Sequence, residues 1–124
     1  MASELRVNTL KDASGNNSIA TSFVAGGSAK AWCPLVYSGG TPTAADSLNV
    51  ASFTDTQTGD AYINYTSSTA STNCSCGGSN TSSSSDLGVL NKTDTTARAR
   101  TITRNSSNSL VDSDRNFQLH GDLA

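Results

Sequence analysis

The sequence is short of almost everything that builds helices, catalytic centres or membrane spans. Its 124 residues include one glutamate, Glu4, and two glutamines, Gln57 and Gln118. Both residue types are good helix formers, so little helix is expected. Charged residues make up 15% of the chain, against about 25% in an ordinary globular domain. The net charge is −2. That balance carries no electrostatic footprint for nucleic acid, and no nucleic-acid partner is expected. No apolar run comes near the ~20 residues a membrane helix needs, so no membrane insertion is expected. The opening MASELRVNTLKDASG lacks the apolar stretch of a secretory signal. It predicts a protein made in the cytoplasm that stays there or leaves by lysis.

The chemistry-bearing residues are equally sparse. There is one histidine, His120, close to the C-terminus, and a surface or interface role is expected for it. The three cysteines, Cys33, Cys74 and Cys76, do not suggest a full disulfide framework. In a strand Cys74 and Cys76 would share a face but be poorly disposed to bridge, so reduced thiols are expected. A zinc site would need a fourth ligand, with only His120 to supply a nitrogen. No phosphate-cradling GxxxxGK[ST], dinucleotide GxGxxG or nucleophile-elbow GxSxG occurs. A lone Glu4 removes any glutamate pair for glycoside hydrolysis, leaving only aspartate pairs. Asp12, Asp55 and Asp60 sit in turn-forming segments, where aspartate bonds its own backbone. Asp112-Ser113-Asp114 matches a fragment of a calcium loop without the rest of the pattern. The expectation is a chain that is not an enzyme and has no catalytic residue, no metal and no cofactor.

What is present in quantity is Ser, Thr and Asn, at 21, 16 and 11 residues. Glycines punctuate the chain at Gly15, Gly26-Gly27, Gly39-Gly40, Gly59, Gly77-Gly78, Gly88 and Gly121. Regular turn signals between short runs predict an all-β fold, a small antiparallel sandwich or barrel-like domain. Leu5 and Val7 alternate with polar residues over Glu4 to Leu10, a strand period. A turn over Asp12 to Asn17 and a second short run over Ile19 to Val24 follow. Ser28 to Tyr37 is the most apolar stretch, with Trp32 at its centre. Pro34 makes it an edge strand or a strand with a break. Leu48, Val50 and Phe53 precede the turn-rich Asp55 to Asp60, and Ala61, Ile63 and Tyr65 alternate after it, which predicts a hairpin. The step from Val50 to Phe53 breaks the two-residue period and predicts a bulge. Trp32, Leu48, Val50, Phe53, Ile63 and Tyr65 are the expected core.

Thr66 to Ser85 is dominated by Ser, Thr, Asn and Gly, and reads as a loop or a solvated strand pair. ARARTITR (Ala97 to Arg104) reads as a strand with Arg98, Arg100, Ile102 and Arg104 on one face. An anionic glycan or nucleic-acid contact is one reading of that ladder. A solvated or intersubunit face paired with Asp94 and Asp112 is favoured, because the chain is acidic overall. Leu110-Val111 and Phe117 to His120 complete the strand regions. The organisation expected is an N-terminal arm with its turn over residues 1–17 and a β domain over 18–124.

Such a domain is short of core, and oligomerisation is one remedy. Three chains around an axis would bury Leu5, Val7 and Leu10 against their copies and cover edge strands. Leu5, Val7 and Leu10 are therefore the expected contact residues of a homotrimer.

The stretch ELRVNTLKDASGNNSIATSFVAGGSAKAWC (Glu4 to Cys33) resembles a module common in phage genomes, especially marine podoviruses. Those proteins share the look L-x-V-x-x-L-x-x-x-x-G-x-x-S followed by GSAKAW. DSLNVASFTDTQTGDAYINYT (Asp46 to Thr66) is similar to a second stretch of the same family, and HGDLA (His120 to Ala124) resembles the endings of some members. The resemblance implies a tail-fibre-like virion structural protein, a trimeric β assembly without catalysis, localised to the virion. Its implied partners are its own copies, other virion proteins of capsid or tail, and a host surface glycan or protein. Capsid decoration or a head-fibre role is the alternative, and a small glycan-degrading enzyme ranks last. Two departures stand out: Trp32 runs into Cys33-Pro34-Leu35, and residues 66–85 are unusually Ser-rich. No binding residue is carried over from the family.

Overall fold

A computed structural model of the chain describes residues 3–82 and 88–124. Ten strands and one short helix follow in the order β1 (Thr9–Lys11), β2 (Ser18–Ala20), α1 (Thr21–Gly27), β3 (Ala29–Ser38), β4 (Thr41–Thr43), β5 (Val50–Gln57), β6 (Asp60–Tyr65), β7 (Ser75–Gly77), β8 (Gly88–Thr95), β9 (Arg98–Arg104) and β10 (Arg115–His120). Strands β1 and β2 form a separate hairpin. The rest make two four-stranded sheets, ordered β4-β3-β10-β7 and β5-β6-β9-β8. Every pairing is antiparallel. The fold is the expected all-β antiparallel sandwich.

Both sheets contribute to one core. Ala31, Cys33 and Leu35 of β3 and Phe117 and Leu119 of β10 meet Ile63 and Tyr65 of β6 and Ala99 of β9. Strand periodicity explains the set: residues two apart share a face, and the ladder pairs Cys33 with Phe117 and Ala31 with Leu119. Ile63 and Tyr65 are thus core residues, and Val50 and Phe53 pack against them.

Two expected core residues lie elsewhere. Trp32 alternates with the inward Ala31 and Cys33, so it faces outward beside Gln118 and is only half-buried. Leu48 is 45% exposed and meets Trp32 through a backbone bridge, with bonds of 3.1 and 3.0 Å. Trp32 is the largest apolar side chain of its stretch, but register to β10 turned the smaller Ala31, Cys33 and Leu35 inward.

The hairpin over Asp55 to Asp60 forms, with Gln57 opposite Asp60 and Gly59 at φ +70°. The pairing slips between Val50 and Ser52, a bulge where the period broke. The alternation over Glu4 to Leu10 yields a strand only from Thr9, because pairing to β2 begins there and an alternating face is not a strand without a partner. The run over Ile19 to Val24 does not continue as strand; after Ala20 it coils into α1, which ends at Gly26-Gly27. Within the Ser-rich stretch, β7 pairs with β10, and Thr69 is buried and bridged to Leu123. Residues 83–85 of that stretch lie outside the described residues.

Pro34 sits mid-strand in β3. Trp32 directs its N–H and C=O toward Leu48, so by alternation the Pro34 nitrogen points to the same side. The ladder to β4 begins only at Val36. The missing donor therefore faces a gap between two pairings, and β3 runs on through Pro34 as an inner strand, neither a sheet edge nor broken there.

Candidate functional site

The N-terminal segment is the least self-sufficient part of the molecule. Leu5 is 80% exposed and Phe23 73%, and Val7, Leu10, Ile19 and Val24 are exposed too. Helix α1 buries no residue. The hydrogen bonds of residues 4–28, among the described residues, stay within residues 4–30: Thr21 to Val7 and Asn8, Asn16 and Asn17 to Asp12, and Lys30 to Ala25 and Ser28. Six large apolar side chains stand exposed on one short segment, and apolar surface left in water in quantity is a feature of interaction sites. Leu5, Val7 and Leu10, the residues expected to make an oligomer contact, are three of the six. Ile19, Phe23 and Val24 were not assigned a contact role; the signal was the apolar run itself, bounded by Gly26-Gly27.

A second feature lies inside the sandwich. Arg115 of β10 has no exposed surface. It points inward because it shares the two-residue period of Phe117 and Leu119. Its guanidinium donates to Tyr37 Oη at 2.8 Å, to Thr103 Oγ1, and more weakly to the carbonyls of Thr101 at 3.4 Å and Gly59 at 3.5 Å. The Tyr37 ring lies beneath it at 5.1 Å. Nε has no partner. No carboxylate touches Arg115 among the described residues; Asp112 and Asp60 act on it through space. Burial lowers the Arg115 pKa and raises that of Tyr37. The residue ties β10 and β3 of one sheet to β9 and the β5–β6 turn of the other. Asp112 accepts from the Gly59 N–H at 2.6 Å and Asp114 from the Tyr37 N–H at 2.9 Å, so both acidic residues serve the same end of the sandwich.

All three cysteines are free thiols, with Cys33 buried. The Tyr65 hydroxyl is buried near them without a hydrogen-bond partner among the described residues. Burial pushes the Cys33 thiol from 9.0 up to about 12. Burial, then the charge of Cys74, pushes Cys76 up to about 11. The folded chain thus keeps protons that the unfolded chain releases above pH 9, so stability falls as pH rises across that window. Urea midpoints at about pH 8 and about pH 10.5 should show the decline, and Cys33→Ala should flatten its slope. An unchanged slope in the variant would assign the alkaline loss to other groups.

His120 is half-buried at the end of β10, opposite Ser75. Among the described residues no group of three His, Cys, Asp or Glu side chains is placed to hold a metal ion. The arginine ladder faces outward as expected. Arg98 pairs with Asp94 at 2.7 Å, but Arg100 pairs with Asp60 and not with Asp112, which is held at Gly59. Comparison with protein-family models, curated proteins and solved structures returns no match.

Proposed function

We propose that this chain is a non-enzymatic bacteriophage virion structural protein, a tail-fibre-like module acting as a homotrimer in virion assembly or host attachment. The observation that carries the reading is the N-terminal segment, where six exposed apolar side chains sit on elements with no core of their own. Such a segment gains stability when a second surface removes it from water, at about 25 cal/mol per Å² of apolar area. The resemblance to the phage module supports the same reading. Its first stretch spans this segment and enters β3, and its second is the β5–β6 hairpin.

Leu5→Asp with Val7→Asp is expected to convert assemblies to monomers in sedimentation, because a charge placed in an apolar contact is costly. The monomers should keep their β-sheet circular dichroism, since both side chains are exposed. Assemblies that persist would remove these residues from the contact. The proposal as a whole is tested by cryo-EM of the intact virion. Density on the tail or its fibres is the expected result. Density over the three-fold positions of the capsid would make the protein a shell decoration, and absence from the particle would overturn the virion reading.

A further inference from the structure

We propose that the outer face of the β5-β6-β9-β8 sheet binds a polysaccharide bearing carboxylate groups. This deepens the host-attachment reading and takes its biological setting from it, while the binding is measured on the free protein.

Arg98, Arg100 and Arg104 alternate along one face of β9, a stripe about 20 Å long at ~3.4 Å per residue. Lys92 stands opposite Arg100 on β8. Four of the chain's eight Lys and Arg residues therefore share one sheet face. The carboxylates bound there are Asp60 and Asp94. Four cations against two carboxylates leave +2 on the face. The chain totals −2, so the remainder carries −4. The charge is segregated, which a whole-chain count conceals.

The groups are also available. Asp60 is almost entirely buried and accepts two bonds from Arg100 and a longer one from Gln57 Nε2 at 3.4 Å, whereas Arg98 uses only Nε for Asp94. Its two terminal nitrogens, and the Lys92 ammonium, have no hydrogen-bond partner among the described residues. A guanidinium fork with free nitrogens suits a carboxylate. The Arg98 guanidinium lies 3.9 Å above the Tyr62 ring, which fixes it without a long-range tether and leaves Tyr62 half-exposed. Beside them Asn64 donates to Ser52 and Thr54, each at 3.0 Å. The face thus combines an aromatic ring, amide and hydroxyl groups for sugar hydroxyls, and cations for acid groups. Nucleic acid is disfavoured, because its affinity comes from neutralising many phosphates, about 6–10 in a typical tight complex, and this face offers a net +2.

The test is titration of the purified full chain with polygalacturonate at low salt, with neutral dextran and duplex DNA as comparison polymers. The expected result is binding to polygalacturonate and not to dextran, weakened by added salt. Lys92→Gln with Arg104→Gln should weaken it about tenfold or more. Tyr62→Ala should weaken it about tenfold, and Tyr62→Phe should bind as the parent does. If Tyr62→Ala loses its fold, the exposed Lys92 and Arg104 pair carries the test alone. No binding to polygalacturonate overturns the proposal. So does DNA binding of equal strength that ignores Tyr62→Ala, since that describes a general polyanion surface. Failure here leaves the arm and the virion location to their own experiments.

Discussion

Arg115→Ala is expected to lower stability by about 3–5 kcal/mol, read as a fall in the urea midpoint with an unchanged slope. The side chain fills space between the sheets with no exposure of its own. Truncating it opens a cavity, and large-to-Ala core changes cost about 2–5 kcal/mol for that reason. It also strips partners from Tyr37 Oη and Thr103 Oγ1, and a buried polar group left unsatisfied costs about 1–3 kcal/mol. Arg115→Met should cost less than half as much. Methionine keeps most of the volume and removes a buried charge that no carboxylate contacts, and exchanging buried charge for apolar bulk is often near neutral. If the two variants lose equal stability, the guanidinium's hydrogen bonds outweigh its volume, and packing is not the larger part. A loss below about 1 kcal/mol in the alanine variant would remove Arg115 from its place as the tie between the sheets.

Gly59→Ala acts at the same end of the sandwich and is expected to cost about 2–6 kcal/mol, the sum of two penalties. At φ +70° the backbone is left-handed, where a Cβ is disfavoured. The added carbon would also lie 2.6 Å from the Val111 backbone nitrogen and oxygen and 2.9 Å from the Thr103 carbonyl. These are main-chain atoms and cannot swing aside. Gly15→Ala is the control: its φ is +72° but nothing lies within 4 Å of the new carbon, so only the conformational cost remains, about 1–2 kcal/mol. Thermal denaturation of the two variants side by side separates collision from strain. Equal losses would show that the contact at Val111 yields. Because Arg115 also reaches the Gly59 carbonyl at 3.5 Å, the double variant with Arg115→Ala should lose less than the two separate losses combined.

The parts of the fold written in strong side chains were legible. ARARTITR announced its two faces, and β9 carries them. The Asp55 to Asp60 turn, the bulge after Val50, and Ile63 and Tyr65 in the core were all readable from turn chemistry and period. What escaped was written in weak ones. Ala31, Cys33 and Leu35 face inward while the larger Trp32 faces out, and only the register against β10 decides which set wins. Thr69, Thr101, Thr103 and Asp60 are buried, yet such residues send no hydrophobic signal. Arg115 drew no reading from the sequence. The alternation Arg115-x-Phe117-x-Leu119 held the clue, but it has meaning only once Phe117 is known to face the core. Helix α1 spans seven residues, too few for a 3.6-residue stripe to show. On the outer face, Lys92 joins the arginines only through cross-strand pairing, which no linear reading displays.

The gap at Pro34 carries a consequence for crowded copies. A row of unpaired edge donors invites strand after strand to zip on, and that is how sheets polymerise into fibrils. Along this edge of β3 a stray strand meets the Leu48 bridge, then a position that cannot donate, then β4. Growth by backbone zippering stalls there. Copies that meet along this stretch of β3 can recognise one another only by side chains, which choose their partner and their number, where a bare backbone chooses neither.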